Sequence, residues 1–204
     1  MLASKTSLVF AIADGVGGYR GGKEASEIAI DIIKNESSNL ENEQALSSCL
    51  LRIDQEIKQK AHELNYVDMG TTVALAKILP TESKVITANV GDSPIFLISG
   101  NTVDPIYKDD SMRFEDPSNM WSIIQYLGYD GPLEIHYKSA NYTKGDYLLL
   151  CSDGVSDNIL GTNNNLSKIG DIVREARGDA KVIVKRAVEI GIKHDDISAV
   201  LVCL

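Results

Sequence analysis

Cysteine is scarce: Cys49, Cys151 and Cys203 are the only three in 204 residues, an odd number with no CxxC pair. That excludes a disulfide framework and fits a reduced, cytoplasmic setting. Cys151 and Cys203 lie inside apolar runs and read as small core residues. Positive charge is also short: 20 Lys and Arg face 29 Asp and Glu, a net charge of −9. A surface for nucleic acid or acidic lipid needs clustered cations, so this balance argues against both. No apolar run approaches the ~18 residues of a membrane span, and Met1 to Ile12 carries no cleavage pattern. The signatures of covalent nucleophiles and phosphate loops, GxSxG, CxxxxxR and GxxxxGK[ST], do not occur.

What is present is a 44% apolar chain with ordinary charge content, enough for one buried core. Leu8 to Ala13 reads as a buried strand. Apolar residues at helical spacing predict helices over Glu24 to Lys34 and Gln44 to Leu64, the second with Leu46, Leu50, Ile53, Ile57 and Ala61 on one stripe. Thr71 to Leu79, Lys84 to Val90, Pro94 to Ile98 and Thr102 to Tyr107 are short and β-rich, and predict an antiparallel meander. Met120 to Leu127 reads as a short helix and Leu133 to Tyr137 as a strand. Tyr147 to Cys151 reads as a central strand, Leu166 to Ala176 and Ala180 to Ile190 as helices, and Ile197 to Leu204 as a final buried strand. Strands grouped together between helix pairs predict helices packed outside a sheet sandwich, one domain over residues 1–204.

Carboxylates recur at strand ends. Asp14 follows LVFAIA, Asp92 follows ITANVG, Asp153 follows LLLCS, and Asp195 and Asp196 precede ISAVLVCL. Asp and Gly are common turn residues, so any one such end is unremarkable. Four gathered at one rim would repel one another and resist desolvation, and a hard cation relieves both costs. Oxygen ligands without His or Cys suit Mg²⁺, Mn²⁺ or Ca²⁺ rather than Zn²⁺. The glycines beside Asp14 and Asp153 are expected to turn the backbone sharply. Several carboxylates around more than one divalent ion suit phosphate-ester hydrolysis by a metal-held water, with no protein nucleophile.

FAIADGVGG, MGTTVALAKI, ANVGDSPIFLI, LLLCSDGVSD and DDISAVLVC, in that order from Leu8 to Cys203, resemble the motif set of the type 2C metal-dependent Ser/Thr protein phosphatases. The resemblance implies an α/β fold of α+β type, a four-layer α-β-β-α sandwich of two antiparallel sheets flanked by helix pairs. It implies two Mg or Mn ions at one rim, with a weaker third in many members. Carried over by position, Asp14 matches the carboxylate that bridges two metals, and Gly15 the residue whose carbonyl binds the second. Asp153 and Asp195 match ligands of the first, and Asp92 a ligand of the third with Asp153 shared. Asp157 reads as supporting structure, and Asp196 stands where an Asn is common. The implied function is hydrolysis of phosphoserine and phosphothreonine on proteins, opposing a Ser/Thr kinase. No catalytic residue beyond the metal-held water is expected, and the substrate-binding residues are unknown.

The chain departs from the family before Asp14. Members carry an Arg and then a Glu-Asp pair on a preceding strand, and MLASKTSLVF contains none of these. Either the chain is truncated at its N-terminus or that strand is absent, which costs a bidentate phosphate contact and leaves a sheet edge. Val16 and Tyr19 occupy positions where some members have a His, and the flap region from Lys108 to Asp130 is short. His62 and His136 read as structural and His194 as a turn residue. Arg20 and Lys23 read as solvated, Trp121, Tyr126 and Tyr129 as packing or a groove, and Thr71 and Thr72 as a strand start with local hydrogen bonds. The rival reading is a phosphatase-fold binding or regulatory module of weak or no activity, and a third is a hydrolase of small phosphoesters.

Overall fold

The computed structural model describes residues 8–16, 20–113, 121–193 and 195–204. In chain order it contains β1 (Leu8–Ile12), α1 (Arg20–Glu36), α2 (Glu43–Leu64), β2 (Val73–Leu79), β3 (Lys84–Val90), β4 (Ile95–Ser99) and β5 (Thr102–Pro105). There follow β6 (Ser111–Arg113), β7 (Trp121–Ile123), β8 (His136–Asn141), β9 (Tyr147–Cys151), α3 (Asp153–Leu160), α4 (Leu166–Ala176), α5 (Ala180–Ile190) and β10 (Ala199–Cys203).

Local chemistry sets the helix limits. Asn42 caps α2 by accepting the Ala45 N–H at 2.9 Å, and Asn65 ends it in the left-handed region at φ 52°. Asn165 and Asp179 cap α4 and α5 in the same way. The α2 stripe of Leu46, Leu50, Ile53 and Ile57 is fully buried, as its spacing predicts.

Two four-stranded antiparallel sheets run in the orders β1-β2-β3-β8 and β10-β9-β4-β5, with β6 and β7 paired as a separate hairpin. Alternation along β2 and β3 sends successive residues to opposite faces. Val73 and Leu75 pack with Ala25, Ala29, Leu50 and Ile53 beneath α1 and α2. Ala74, Ala76 and Ile78 turn the other way and meet Ile95, Leu97, Leu148 and Leu150 of the second sheet. Phe96, Leu149 and Cys151 face Val155, Ile169, Val173 and Ile183 of α3 to α5. Three separate apolar layers therefore hold four layers of structure, the expected α-β-β-α sandwich.

Several expectations differ in detail. The meander is broken: β2 and β3 belong to one sheet and β4 and β5 to the other. The chain changes sheets at Gly91–Pro94, with Gly91 at φ 97°, and this crossing carries Asp92 to the rim. Residues 121–127 form β7 and an extended stretch rather than a helix, because Leu127 exchanges backbone hydrogen bonds with Thr71 at 3.0 and 2.9 Å. The strand expected over Leu133 to Tyr137 runs from His136 to Asn141. Among the described residues β1 and β10 lie at sheet edges, only partly buried, and Cys203 is exposed rather than core. The helix α3 went unforeseen.

Candidate metal centre

Four strand ends meet at one rim. Asp14 follows β1, and its backbone is held from both sides. Its N–H donates to Thr72 Oγ1 at 3.2 Å, and its carbonyl accepts from the Thr72 N–H and the Thr71 hydroxyl, each at 2.8 Å. Thr72 Oγ1 also shares a hydrogen bond of 2.7 Å with Ser93 Oγ, the neighbour of Asp92. One buried hydroxyl thus ties the end of β1 to the crossing between the sheets. The two threonines were expected to bond locally; Thr71 does donate to the Thr72 carbonyl at 3.0 Å, and the pair also bonds across 57 and 58 residues.

Asp153 opens α3, where the unpaired N–H groups of a first turn favour a carboxylate. Ser152 just before it donates its hydroxyl to the Asp196 carbonyl at 2.8 Å and accepts the Ser198 N–H at 3.0 Å. The approach to β10, with Asp195 and Asp196, is thereby fastened to the start of α3.

Gly15 and Gly154 serve close approach rather than a sharp turn. Neither adopts positive φ, and a Cβ on either would lie 2.4 Å from a backbone carbonyl oxygen, that of Gly22 for Gly15 and of Asp196 for Gly154. The expectation that these glycines turn the chain is corrected accordingly.

Charge at the rim is one-sided. The Asp14 carboxyl is pushed up to about 7 by burial first, then by Asp153, Asp195 and Asp196. Asp92 is also pushed up to about 7, by burial and then by Asp153 and Asp109. Both therefore feel the charge of Asp153. Lys193 answers this charge. Its Nζ bonds Asp153, lies 3.1 Å from Asp157 Oδ2 and 3.3 Å from Asp195 Oδ2. Burial lowers the Lys193 pKa, but the bonds to Asp153 and Asp157 outweigh it, and the ammonium is held above the ordinary lysine range.

Among the described residues no three Asp, Glu, His or Cys side chains already surround one point as a metal shell. The donor set nevertheless fits a hard divalent cation. It is all oxygen, Asp14 and Asp92 resist ionisation without a cation, and one ammonium is shared by three carboxylates.

A second cluster, which the sequence reading missed, backs the Asp92 crossing. Buried Asp110 accepts the Gly91 N–H at 2.9 Å and the Gln125 amide at 2.7 Å through Oδ2, while Oδ1 meets His136 Nε2 at 2.7 Å. Gln125 also donates to the Glu134 carbonyl at 2.9 Å and accepts its N–H at 2.9 Å. The base of the β6–β7 hairpin is thus bolted to the turn before Asp92. His136 is structural, as expected. Asp110→Asn keeps the shape but replaces one of two buried acceptor oxygens with a donor and removes the charge that three partners meet, and is expected to cost about 2 kcal/mol in urea denaturation. A loss below about 0.5 kcal/mol would show the cluster to be slack.

Of the other residues singled out in the sequence, Lys23 stands in solvent beside Glu27, and His62 is exposed in the last turn of α2. Tyr126 packs over Gly70 and against Tyr129, with ring centroids 5.4 Å apart. Tyr19 and His194 lie outside the described residues. No described helix is long and apolar enough to cross a membrane.

Comparison with known proteins agrees with this geometry. The family model described as protein phosphatase 2C matches residues 2–181. A serine/threonine phosphatase, stp, of Listeria welshimeri is 29% identical, over 94% of this chain and 82% of its own. Protein phosphatase PhpP of Streptococcus pneumoniae is 30% identical, over 84% of this chain and 74% of its own. A crystal structure of a bacterial serine phosphatase superposes with a TM-score of 0.77 at 26% identity, over 96% of this chain and 85% of that one. With a family model spanning most of its length, and the sandwich and carboxylate rim in place, the chain belongs to the protein phosphatase 2C family.

Proposed function

We propose that the protein hydrolyses phosphoserine and phosphothreonine on other proteins, with Mg²⁺ or Mn²⁺ as resident ions, and that it opposes a Ser/Thr kinase. One observation supports the reading: the strand ends that carry Asp14, Asp92, Asp153 and Asp195 are tied together at one rim, where burial and neighbouring aspartates push the Asp14 carboxyl up. Two ions, with a weaker third, are the complement that membership of the family implies. When bound, they lower the pKa of a water and neutralise phosphoryl oxygens.

The chain's own residues supply position. Asp14 would bridge two ions, and Gly15 would turn its carbonyl to one of them. Asp153 and Asp195 would hold the other, and Asp92 with Asp153 the weaker third. Thr71, Thr72, Ser93 and Ser152 hold the backbones that carry these groups, so the carboxylates need little reorganisation when ions and phosphate arrive. Among the described residues none at the rim is placed as a covalent nucleophile, which suits direct attack by water.

The test is turnover of a phosphothreonine peptide by chain stripped with EDTA, before and after Mn²⁺ is restored. The expected result is no release of phosphate in EDTA and recovery with Mn²⁺. A folded sample that stays silent with Mn²⁺ and Mg²⁺ would favour the binding-module reading. Turnover of small phosphoesters but not of the peptide would move the substrate class.

A further inference from the structure

Lys193 is placed by construction, not by chance of a flexible side chain. Its N–H donates to Asn158 Oδ1 at 2.6 Å, and Asn158 Nδ2 donates back to its carbonyl at 3.1 Å and to the Gly154 carbonyl at 2.7 Å. Asn158 is 1% exposed and sits in α3, the helix that begins with Asp153. The loop before β10 is therefore locked to α3, and the lysine stem is aimed along it. The ammonium meets Asp153 and Asp157, one turn apart on α3, and Asp195 across from them.

These three partners are not equivalent. Asp153 and Asp195 are read as metal ligands, whereas Asp157 is more exposed and carries no ligand role. We propose that Lys193 is the resident cation of this rim: it pairs with Asp153 and Asp195 in the metal-free chain, and divalent ions bind by taking those carboxylates from it. Asp157 is then the partner to which the displaced ammonium retires. The inference rests on the proposed metal roles of Asp153 and Asp195. It gives the metal-free chain a way to fold with its carboxylates clustered, and it sets metal affinity below what the carboxylates alone would give.

Both sides are measurable without activity. Calorimetric Mn²⁺ titration of the full chain is expected to show Lys193→Met binding about tenfold tighter than wild type, since the competing ammonium, 3.3 Å from Asp195 Oδ2 and bonded to Asp153, has gone. In EDTA the same variant is expected to melt about 5 °C lower, because the clustered carboxylates lose their counter-ion. Saturating Mn²⁺ should close that gap. Asp157→Asn is expected to weaken Mn²⁺ binding about threefold in the wild-type background and to have little effect beside Lys193→Met, a coupling that simple removal of one charge would not produce.

Lys193→Gln serves the same titration if the Met variant does not fold in EDTA, and its neutral amide is expected to give the same tightening. Mn²⁺ affinity unchanged or weakened in both neutral variants, or an equal Asp157→Asn effect in both backgrounds, would overturn the proposal. The underlying metal reading fails differently: wild type would then bind no Mn²⁺, or Asp153→Asn would bind it as wild type does.

Discussion

Asp14→Asn is expected to lower metal-dependent kcat/KM by at least about 10³-fold and, at the same time, to make the metal-free protein more stable above neutral pH. The two effects share a cause. The Asp14 carboxyl ionises near 3.8 in an unfolded chain but is pushed up to about 7 in the folded one, by burial and then by Asp153, Asp195 and Asp196. Below the unfolded value both states carry the proton and nothing is lost. Between the two values the unfolded chain has released its proton while the folded chain keeps it, so metal-free stability falls as pH rises through that window. Above about 7 the full penalty is present in EDTA. An amide at position 14 has nothing to ionise, and it cannot bridge two cations. Thermal melts in EDTA from pH 5 to pH 8 should therefore show a downward slope for wild type and a shallower one for Asp14→Asn. Some slope should survive, because Asp92 is raised in the same way by burial and by Asp153. A variant that melts below wild type at the alkaline end, or that keeps its turnover, would remove Asp14 from the centre.

That trade-off explains why the proposed ligands could be picked out in the sequence while parts of the fold could not. Carboxylates that oppose stability stand out locally, as charges at the ends of apolar runs: LVFAIA before Asp14, LLLCS before Asp153. The helices α2, α4 and α5 were equally plain, since a 3.6-residue apolar period and polar caps are local signals. Sheet membership was not. Nothing in KVITANVGDSPIFLIS marks the change of sheet between β3 and β4, because both strands are buried on both faces and neither shows an alternation that would assign it to one sheet or the other. The start of α3 was hidden because DGVSDN is rich in turn formers, and its helical face emerges only when Val155 and Ile159 meet the second sheet. Lys193 in GIKHDD looks like a solvated loop cation until Asn158, 35 residues away, fixes its backbone. The Asp110, Gln125 and His136 cluster has no sequence signature, being assembled across 26 residues by a hairpin.

Gly154→Ala should separate these effects with one methyl group. Position 154 lies in the first turn of α3, where alanine is ordinarily favoured over glycine by about 1 kcal/mol. Here the added Cβ would lie 2.4 Å from the Asp196 carbonyl oxygen and 3.3 Å from the Asp195 Cβ. Neither neighbour yields easily. The Asp196 carbonyl is held by the Ser152 hydroxyl at 2.8 Å, and the Gly154 carbonyl by the Asn158 amide at 2.7 Å. Relief therefore requires α3 and the approach to β10 to move apart, which separates Asp153 from Asp195. Overpacking of this kind costs about 1–3 kcal/mol, enough to reverse the helix preference. A displacement of about 1 Å in a positioned site is worth about 100-fold in rate. The expected outcome is a net loss of stability in urea denaturation and a fall of about 100-fold in kcat/KM with the phosphothreonine peptide. The sign of the stability change decides the matter. A gain, as helix propensity alone would give, with turnover intact would mean that α3 and the β10 approach are free to slide. The carboxylates would then owe their geometry to the ions, not to the fold that presents them.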